Sequence, residues 1–419
     1  MHWLIVEDAL RDRKGHWFEA DTTFYKGFRA LGDEVVVLAD AAVEADIRDS
    51  LAAVPILPPS IWHRAGDGSG RLTRYSRVLV HPWQTWRIMR RYLKANPQFD
   101  AIFIPTAGLY HVLAWLCLIK GTLRNRPARV LLFFTHLPAD WDVRSGKAVR
   151  DGSPTAWLLF RLLRLLGPEI KSGKVVLGTE IESMRAAVEE FSGVPVTLFP
   201  QIVIPSDTSE SVPQTLPDDI EMASYGPPRA EKGSDILQEA IAIHRHRFPD
   251  SRIRFTLHWT QDFVTNDGRK VVKSPDLMRD SRVQYLTHYF DHDEYEDRIR
   301  RTQVLLLPYR LNIYGLRGSR VVIEAVVNGI PVIATRGTAL AGVVEAHGAG
   351  LFCEDGDPES LAVAIHEMGE RYEEFSRLAK ARAVSGAREF SAESFRRTFL
   401  EAGPGPRVAR PRAIAQQMG

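Results

Sequence analysis

Between Val304 and Ala334 the chain passes from one short apolar run to another through a polar loop and a helix, and that order leaves few folds open. The first run, Val304-Leu305-Leu306-Leu307, ends at Pro308. The loop that follows reads YRLNIYGLRG; a helix begins near Ser319, carries Glu324 and stops at Asn328-Gly329. The second run is Pro331-Val332-Ile333-Ala334. Strand, loop, helix and strand make a right-handed βαβ unit, and such units bind ligands at the carboxyl ends of their strands. Free N–H groups at the helix start attract an anion. Glu324 stands one turn further in, among Val321, Val322, Ile323, Ala325, Val326 and Val327. A carboxylate in so apolar a helix needs a partner, and hydroxyl groups are the natural one.

The same alternation runs through the rest of the chain. Residues 3–6, 35–38, 101–104, 130–134, 175–177 and 196–199 are short, rich in Val, Ile and Leu, and separated by amphipathic stretches. They predict a mostly parallel sheet covered on both faces. Phe18, Thr22, Tyr25 and Phe28 recur at helical spacing after the first run, and Gly32-Asp33 stops that helix. Ser, Pro, Thr and Asp then dominate residues 202–219, a linker by composition. Apolar runs resume at 221–225, 252–258, 283–286, 304–307, 332–334 and 350–353. A chain of 419 residues exceeds one ordinary core, so two doubly wound domains joined near residue 210 are expected. The stretch after Ala402 lacks periodicity and reads as a flexible tail, 403–419.

Charge and cysteine usage exclude more than they assign. The formal net charge is +2, with 45% hydrophobic and 25% charged residues, an ordinary globular balance that does not argue for nucleic acid. Cys117 and Cys353, both in apolar surroundings, predict buried free thiols in a reducing compartment. No signal-peptide pattern opens the chain and no apolar run is long enough to span a bilayer, so a cytoplasmic protein is expected. His244, His246, His288 and His292 fall in polar segments and predict exposed side chains rather than metal ligands.

Two motifs carry a resemblance. The first is Tyr225-Gly226-Pro227-Pro228-Arg229-Ala230-Glu231-Lys232-Gly233; the second is Leu307-Pro308-Tyr309, then Tyr314, Arg317, Ser319, Glu324-Ala325 and Gly329-Ile330-Pro331. Together they resemble the C-terminal domain of family 4-type retaining glycosyltransferases (group 1) of the GT-B fold. The N-terminal half is similar only in outline. The resemblance implies an α/β protein of GT-B architecture, two doubly wound Rossmann-like domains facing a central cleft. Residues 1–205 would bind the acceptor, 206–219 link the domains, and 220–385 bind a nucleotide sugar. A helix within 386–402 would cross back to the first domain.

Carried onto these positions, the family pattern gives Arg229 and Lys232 to the donor diphosphate and the charge on the leaving nucleotide. Glu324 would accept the ribose hydroxyls, while Ser319 and nearby N–H groups would hold a phosphate oxygen. Tyr309 and Tyr314 would either face the donor or pack between domains. Gly15 would approach the diphosphate, and His136, at the rim after residues 130–134, would face the transferred sugar or pack at a domain interface. The family's first glutamate falls on Leu316, which cannot serve, so Arg317 and Ser319 would take over donor contacts. Arg320 stands where a glycine is common. The implied activity moves a hexose from a nucleoside-diphosphate sugar to a glycan or lipid-linked acceptor, without metal and with no cofactor beyond the substrate itself. The alternative is an inactive GT-B-like protein that binds nucleotide or glycan.

Residues 71–94 hold Arg71, Arg74, Arg77, Arg87, Arg90, Arg91 and Lys94, no acid, and the aromatic Trp83, Trp86 and Tyr92. Residues 155–166, TAWLLFRLLRLL, are apolar with Arg161 and Arg164. Such surfaces fit peripheral association with anionic membrane, and equally helices packed on a sheet with arginines reaching outward.

Overall fold

The structure is a computed structural model that describes residues 1–13, 17–61, 71–204, 219–265 and 267–403, the side chains at 71–79 and 292 excepted. The chain divides into two compact units. The first holds Met1–Asp140, Ala148–Ile204 and the chain from Ser391; the second holds Trp141–Lys147 and the chain from Asp219 to Phe390.

In the first unit the strands are β1 (His2–Val6), β2 (Glu34–Asp40), β3 (Val54–Leu57), β4 (Ala101–Ile104) and β5 (Arg129–Phe133). A short pair follows, β6 (Ala139–Asp142) and β7 (Lys147–Arg150), whose residues 141–147 are assigned to the second unit, and then β8 (Val175–Thr179) and β9 (Thr197–Leu198). The main sheet has the order β3-β2-β1-β4-β5-β8-β9 and is parallel throughout. Leu4 stands opposite Val36 on one side and Ile102 on the other. Helices cover the sheet: α1 (Trp17–Ala30), α2 (Ala45–Ser50), α3 (Arg71–Ala95), α4 (Leu109–Lys120), α5 (Pro154–Leu165), α6 (Gly167–Lys171) and α7 (Glu182–Ser192). Helices on both faces explain why these strands read as continuous apolar runs rather than alternating ones. Winding reverses between β1 and β4, which opens a crevice at the carboxyl ends of those strands.

The second unit repeats the scheme with β10 (Ile220–Ser224), β11 (Ile253–His258), β12 (Phe263–Val264), β13 (Lys270–Val271), β14 (Val283–Leu286), β15 (Val304–Leu307), β16 (Val332–Thr335) and β17 (Gly350–Cys353). Its parallel sheet has the order β14-β11-β10-β15-β16-β17, with β12 and β13 forming a separate hairpin. The helices are α8 (Ser234–Arg247), α9 (His292–Arg301), α10 (Leu311–Tyr314), α11 (Arg320–Asn328), α12 (Ala339–His347), α13 (Pro358–Glu370) and α14 (Tyr372–Glu389). Here the winding reverses between β10 and β15, so the loops after these two strands flank the crevice.

The last helix, α15 (Ala392–Glu401), belongs to the first unit. Its Phe395 meets Phe24, Phe103 and Phe199 at ring-centroid distances of 5.4, 5.6 and 4.6 Å. Arg129 donates to the Phe399 carbonyl at 2.9 Å, and Arg396 lies 3.3 Å from Asp33. Asp33 also takes the N-terminal ammonium at 2.6 Å and the Trp3 indole N–H at 3.0 Å.

Several expectations need correction. Cys117 is exposed while Cys353 is buried: α4 is apolar nearly all round, but Cys117 sits on its outward face. Both thiols are free. His244 is fully buried on the inner face of α8, three residues after the core residue Ile241. A polar neighbourhood in sequence hid that helical period. The two hairpins had no clear apolar run to announce them, and Pro55, inside the run 51–57, argued against a strand at β3. Residues 206–218 of the expected linker and 404–419 of the expected tail lie outside the described residues. No helix among the described residues is long and apolar enough to cross a membrane.

Candidate functional site

Both motifs of the second unit lie where its sheet changes direction. The first occupies the loop from Gly226 to Gly233 after β10; the second begins at Pro308, after β15. Two glycines make the first loop feasible. Gly226 has φ +91°, and a Cβ there would stand 2.4 Å from Lys232 Nζ. Gly233 has φ +64°, and its Cβ would fall 2.1 Å from the Pro308 carbonyl oxygen. Only glycine tolerates such backbone angles with the neighbouring atoms so close. The Arg310 N–H donates to the Glu231 carbonyl at 2.9 Å, tying the two loops together.

His258, at the end of β11, fixes the first loop from below. Its Nδ1 accepts from the Gly226 N–H at 3.1 Å, and its Nε2 lies 2.8 Å from the His288 carbonyl oxygen. That arrangement requires the proton on Nε2. Burial outweighs the His288 contact and pulls the imidazole below its ordinary range, keeping it neutral. Phe290 stacks on it at 4.0 Å. The sequence reading missed His258, which lies 32 residues from the glycine it holds.

Lys232 is partly buried, and among the described residues its Nζ has neither an ion pair nor a hydrogen bond. Its contact is the face of Tyr309, 5.7 Å from Nζ to the ring centroid. Desolvation, then the charge of Arg229, push the ammonium down to about 8, against a smaller opposing effect of Glu231. A cation held away from water beside a second cation is a site built for an anion. Arg229 is more exposed and pairs loosely with Glu231, at 3.4 Å. Tyr309 is buried against Tyr314, ring centroids 4.5 Å apart. Burial raises both hydroxyls, that of Tyr314 to about 12, so both stay protonated.

Ser319 is the N-cap residue of α11, with extended backbone at φ −145° and ψ 126°, yet no side chain caps the helix. Its first-turn N–H groups therefore point at the crevice with the favourable end of the helix dipole. Arg317, two residues before, is exposed, while Leu316 is buried. Glu324 is 9% exposed and has the partners its apolar helix demands. Its Oε2 accepts from the Tyr295 hydroxyl at 2.6 Å and its Oε1 from Arg320 Nε at 2.8 Å. Arg229, Lys232, Tyr309, Tyr314, Ser319 and Glu324 thus come from the loops and helix around one switch point. The arrangement can hold a diphosphate on its cations and helix N-terminus, with a diol beside it on Glu324.

In the first unit His136 is exposed, its Nδ1 3.0 Å from Thr135 Oγ1. Gly15 lies outside the described residues. The switch point of this unit holds a buried polar cluster that the sequence reading did not single out. Glu7 accepts from the Thr106 hydroxyl at 2.6 Å and from the Ala9 N–H at 2.9 Å. Asp8 Oδ2 lies 2.8 Å from His81 Nε2 and 3.0 Å from His111 Nε2. Desolvation, then the neighbouring Asp8, push Glu7 up to about 7. Burial, then Glu7, hold Asp21 well above the usual carboxylate range. Burial would raise Asp8 too, but His111 and His81 outweigh it and keep Asp8 ionised.

Residues 222–370 match the family model for glycosyl transferases group 1. The match lies within the second unit. Solved structures extend the likeness to nearly the whole chain. HepE from Anabaena in complex with UDP-glucose has a TM-score of 0.57 at 13% identity, over 96% of this chain and 98% of its own. A glycosyltransferase from Rickettsia africae reaches 0.62 at 12% identity, over 96% and 97%. Sucrose-phosphate synthase from Thermosynechococcus elongatus reaches 0.56 at 14% identity, over 96% and 97%. At such identities the likeness is one of fold, and that fold is GT-B. No curated protein matches the chain.

Proposed function

We propose that the protein transfers a hexose from a nucleoside-diphosphate sugar to an acceptor hydroxyl of a glycan or lipid-linked molecule, with retention and without a metal ion. The observation that carries the reading is the Lys232 ammonium, held beside Arg229 with no ion pair among the described residues, at the switch point of the unit that matches the group 1 model. Glycosyl transfer leaves a nucleoside diphosphate, and preorganised cations and helix N–H groups stabilise the charge that develops on it. Glu324 is the acceptor for the ribose diol. Arg229 and Lys232 supply the positive charge that a metal would otherwise bring. Retention follows from the resemblance alone, and anomeric NMR of the product tests it.

Thermal-shift and calorimetric titration with UDP, GDP, ADP, TDP and CMP test the reading. UDP comes first because HepE is solved with UDP and with UDP-glucose. One nucleoside diphosphate is expected to bind selectively, and Glu324→Ala to weaken it by roughly tenfold or more, the usual worth of hydrogen bonds to a charged group. Chelating divalent metal is expected to leave transfer unchanged. Binding without transfer or donor hydrolysis would instead favour an inactive binding protein, the direction in which Leu316 and Arg320 point.

The acceptor is inferred to reach the protein from an anionic membrane surface. On α3 the exposed Trp83 carries Arg87 over its ring at 5.4 Å, with Arg90, Arg91 and Lys94 also exposed. On α5 the exposed Trp157 carries Arg161 at 4.8 Å. Indole with guanidinium suits an interface of acyl chain and phosphate. Sedimentation with anionic vesicles is expected at low salt and to weaken as salt rises; no binding at low salt overturns this part.

A further inference from the structure

Glu324 shares its carboxylate between two partners of different character. The Tyr295 hydroxyl, on α9, is buried; burial and then Glu324 itself hold it well above its ordinary range, so it stays a donor. Its ring is set edge-on to Tyr225, centroids 6.3 Å apart, and Tyr225 is anchored in turn to Thr302 at 2.8 Å. Arg320 is the more exposed of the pair. Its side chain is 30% exposed against 11% for Glu324, and the two form an ion pair one turn apart on the same helix. Pairs of that kind are weak.

We infer that Tyr295 is a positioning residue of the donor site: it fixes Oε2 of Glu324 so that Oε1 faces the ribose diol, while Arg320 holds that place until the diol displaces it. The inference rests on the nucleotide-sugar reading above. An ionised carboxylate only accepts hydrogen bonds, and a diol supplies two donors. The diol can therefore replace the Arg320 contact without leaving Oε1 unsatisfied. Without the Tyr295 hydroxyl, Oε2 would lose the one donor it has among the described residues, and the carboxylate would turn toward Arg320. Arg320 is then a resident of the site rather than an obstruction.

The test is calorimetric titration of the full chain with the nucleoside diphosphate that binds in the screen above, UDP being tried first, and with its 2′,3′-dideoxy counterpart. The unsubstituted protein is expected to prefer the ribo form by roughly tenfold or more. Tyr295→Phe should weaken the ribo form about tenfold, leave the dideoxy form unchanged, and so nearly abolish the preference. A merely structural role would weaken both alike. Arg320→Ala should keep the preference, with the ribo form bound as well as before or a few times better. This variant decides the matter if Tyr295→Phe fails to fold, because loss of the preference in Arg320→Ala would show that Arg320 orients the carboxylate. A preference kept in Tyr295→Phe, or absent from the unsubstituted protein, overturns the inference and leaves the functional reading standing. No binding of any nucleoside diphosphate overturns both.

Discussion

Replacing Lys232 by alanine is expected to lower kcat/KM for sugar transfer by roughly 10²–10³-fold, the usual cost of removing one preorganised donor from a developing charge. The reason is local. Among the described residues the Lys232 ammonium has no counter-ion, so its charge is uncommitted until a diphosphate arrives. Its position, by contrast, is fixed: Gly226 leaves no room for a Cβ beside Nζ. Gly226→Ala should therefore act in the same direction, by displacing the ammonium and straining a backbone at φ +91°. The pH dependence has a definite sign. Desolvation and Arg229 put the ammonium at about 8 in the free protein, and a bound diphosphate favours its charged form. Affinity for the nucleoside diphosphate should be full below that value and decline as pH rises through it. Calorimetry from pH 6.5 to 9.5 measures the decline, which Lys232→Ala should remove. An unchanged rate in Lys232→Ala would take the diphosphate off this loop.

Most of the fold was legible because both sheets are parallel and buried on both faces. Runs such as Val304–Leu307 and Ala101–Ile104 have no polar face to blur them. What escaped were elements held by other means: the edge strand β3, the hairpin of β6 and β7, and that of β12 and β13. The hairpin strands lack the apolar continuity that marks a buried one, and Pro55 disguised β3 inside an apolar run. At the site, residues tied to backbone geometry were readable. Gly226, Lys232, Gly233, Ser319 and Glu324 sit in two contiguous motifs, and Gly226, Gly233 and Ser319 are needed by a turn or a helix end. His258 and Tyr295 were not readable, since each acts on a residue about thirty positions away: Gly226 for one, Glu324 for the other. The one sequence signal for Tyr295 was the apolar need of Glu324, which asks for a partner without saying which.

Glu7→Gln is expected to flatten the pH dependence of stability in the first unit between pH 4.5 and 7. Burial and Asp8 raise the Glu7 carboxyl from its ordinary 4.5 to about 7. Between these values the folded protein keeps a proton that the unfolded chain has lost, so stability must fall as pH rises through the window. A shift of that size corresponds to about 3 kcal/mol. The groups facing Glu7 do not reverse the sign. Asp21, on α1, is raised as well and adds to the fall. His111, on α4, is raised by Asp8 against its own desolvation, and its contribution is lost only as pH climbs through its elevated value, above the ordinary 6.5. Asp8 is lowered, so its contribution disappears only in acid below the ordinary 3.8. Glutamine keeps an oxygen for the Ala9 N–H and offers its amide N–H to the Thr106 oxygen, and it has no proton to lose. Hydrogen exchange at the β1 and β4 amides in urea isolates this unit from the other. The unsubstituted protein should lose roughly 3 kcal/mol more than Glu7→Gln across the window. Equal slopes would mean that Glu7 ionises in the folded state as freely as in water.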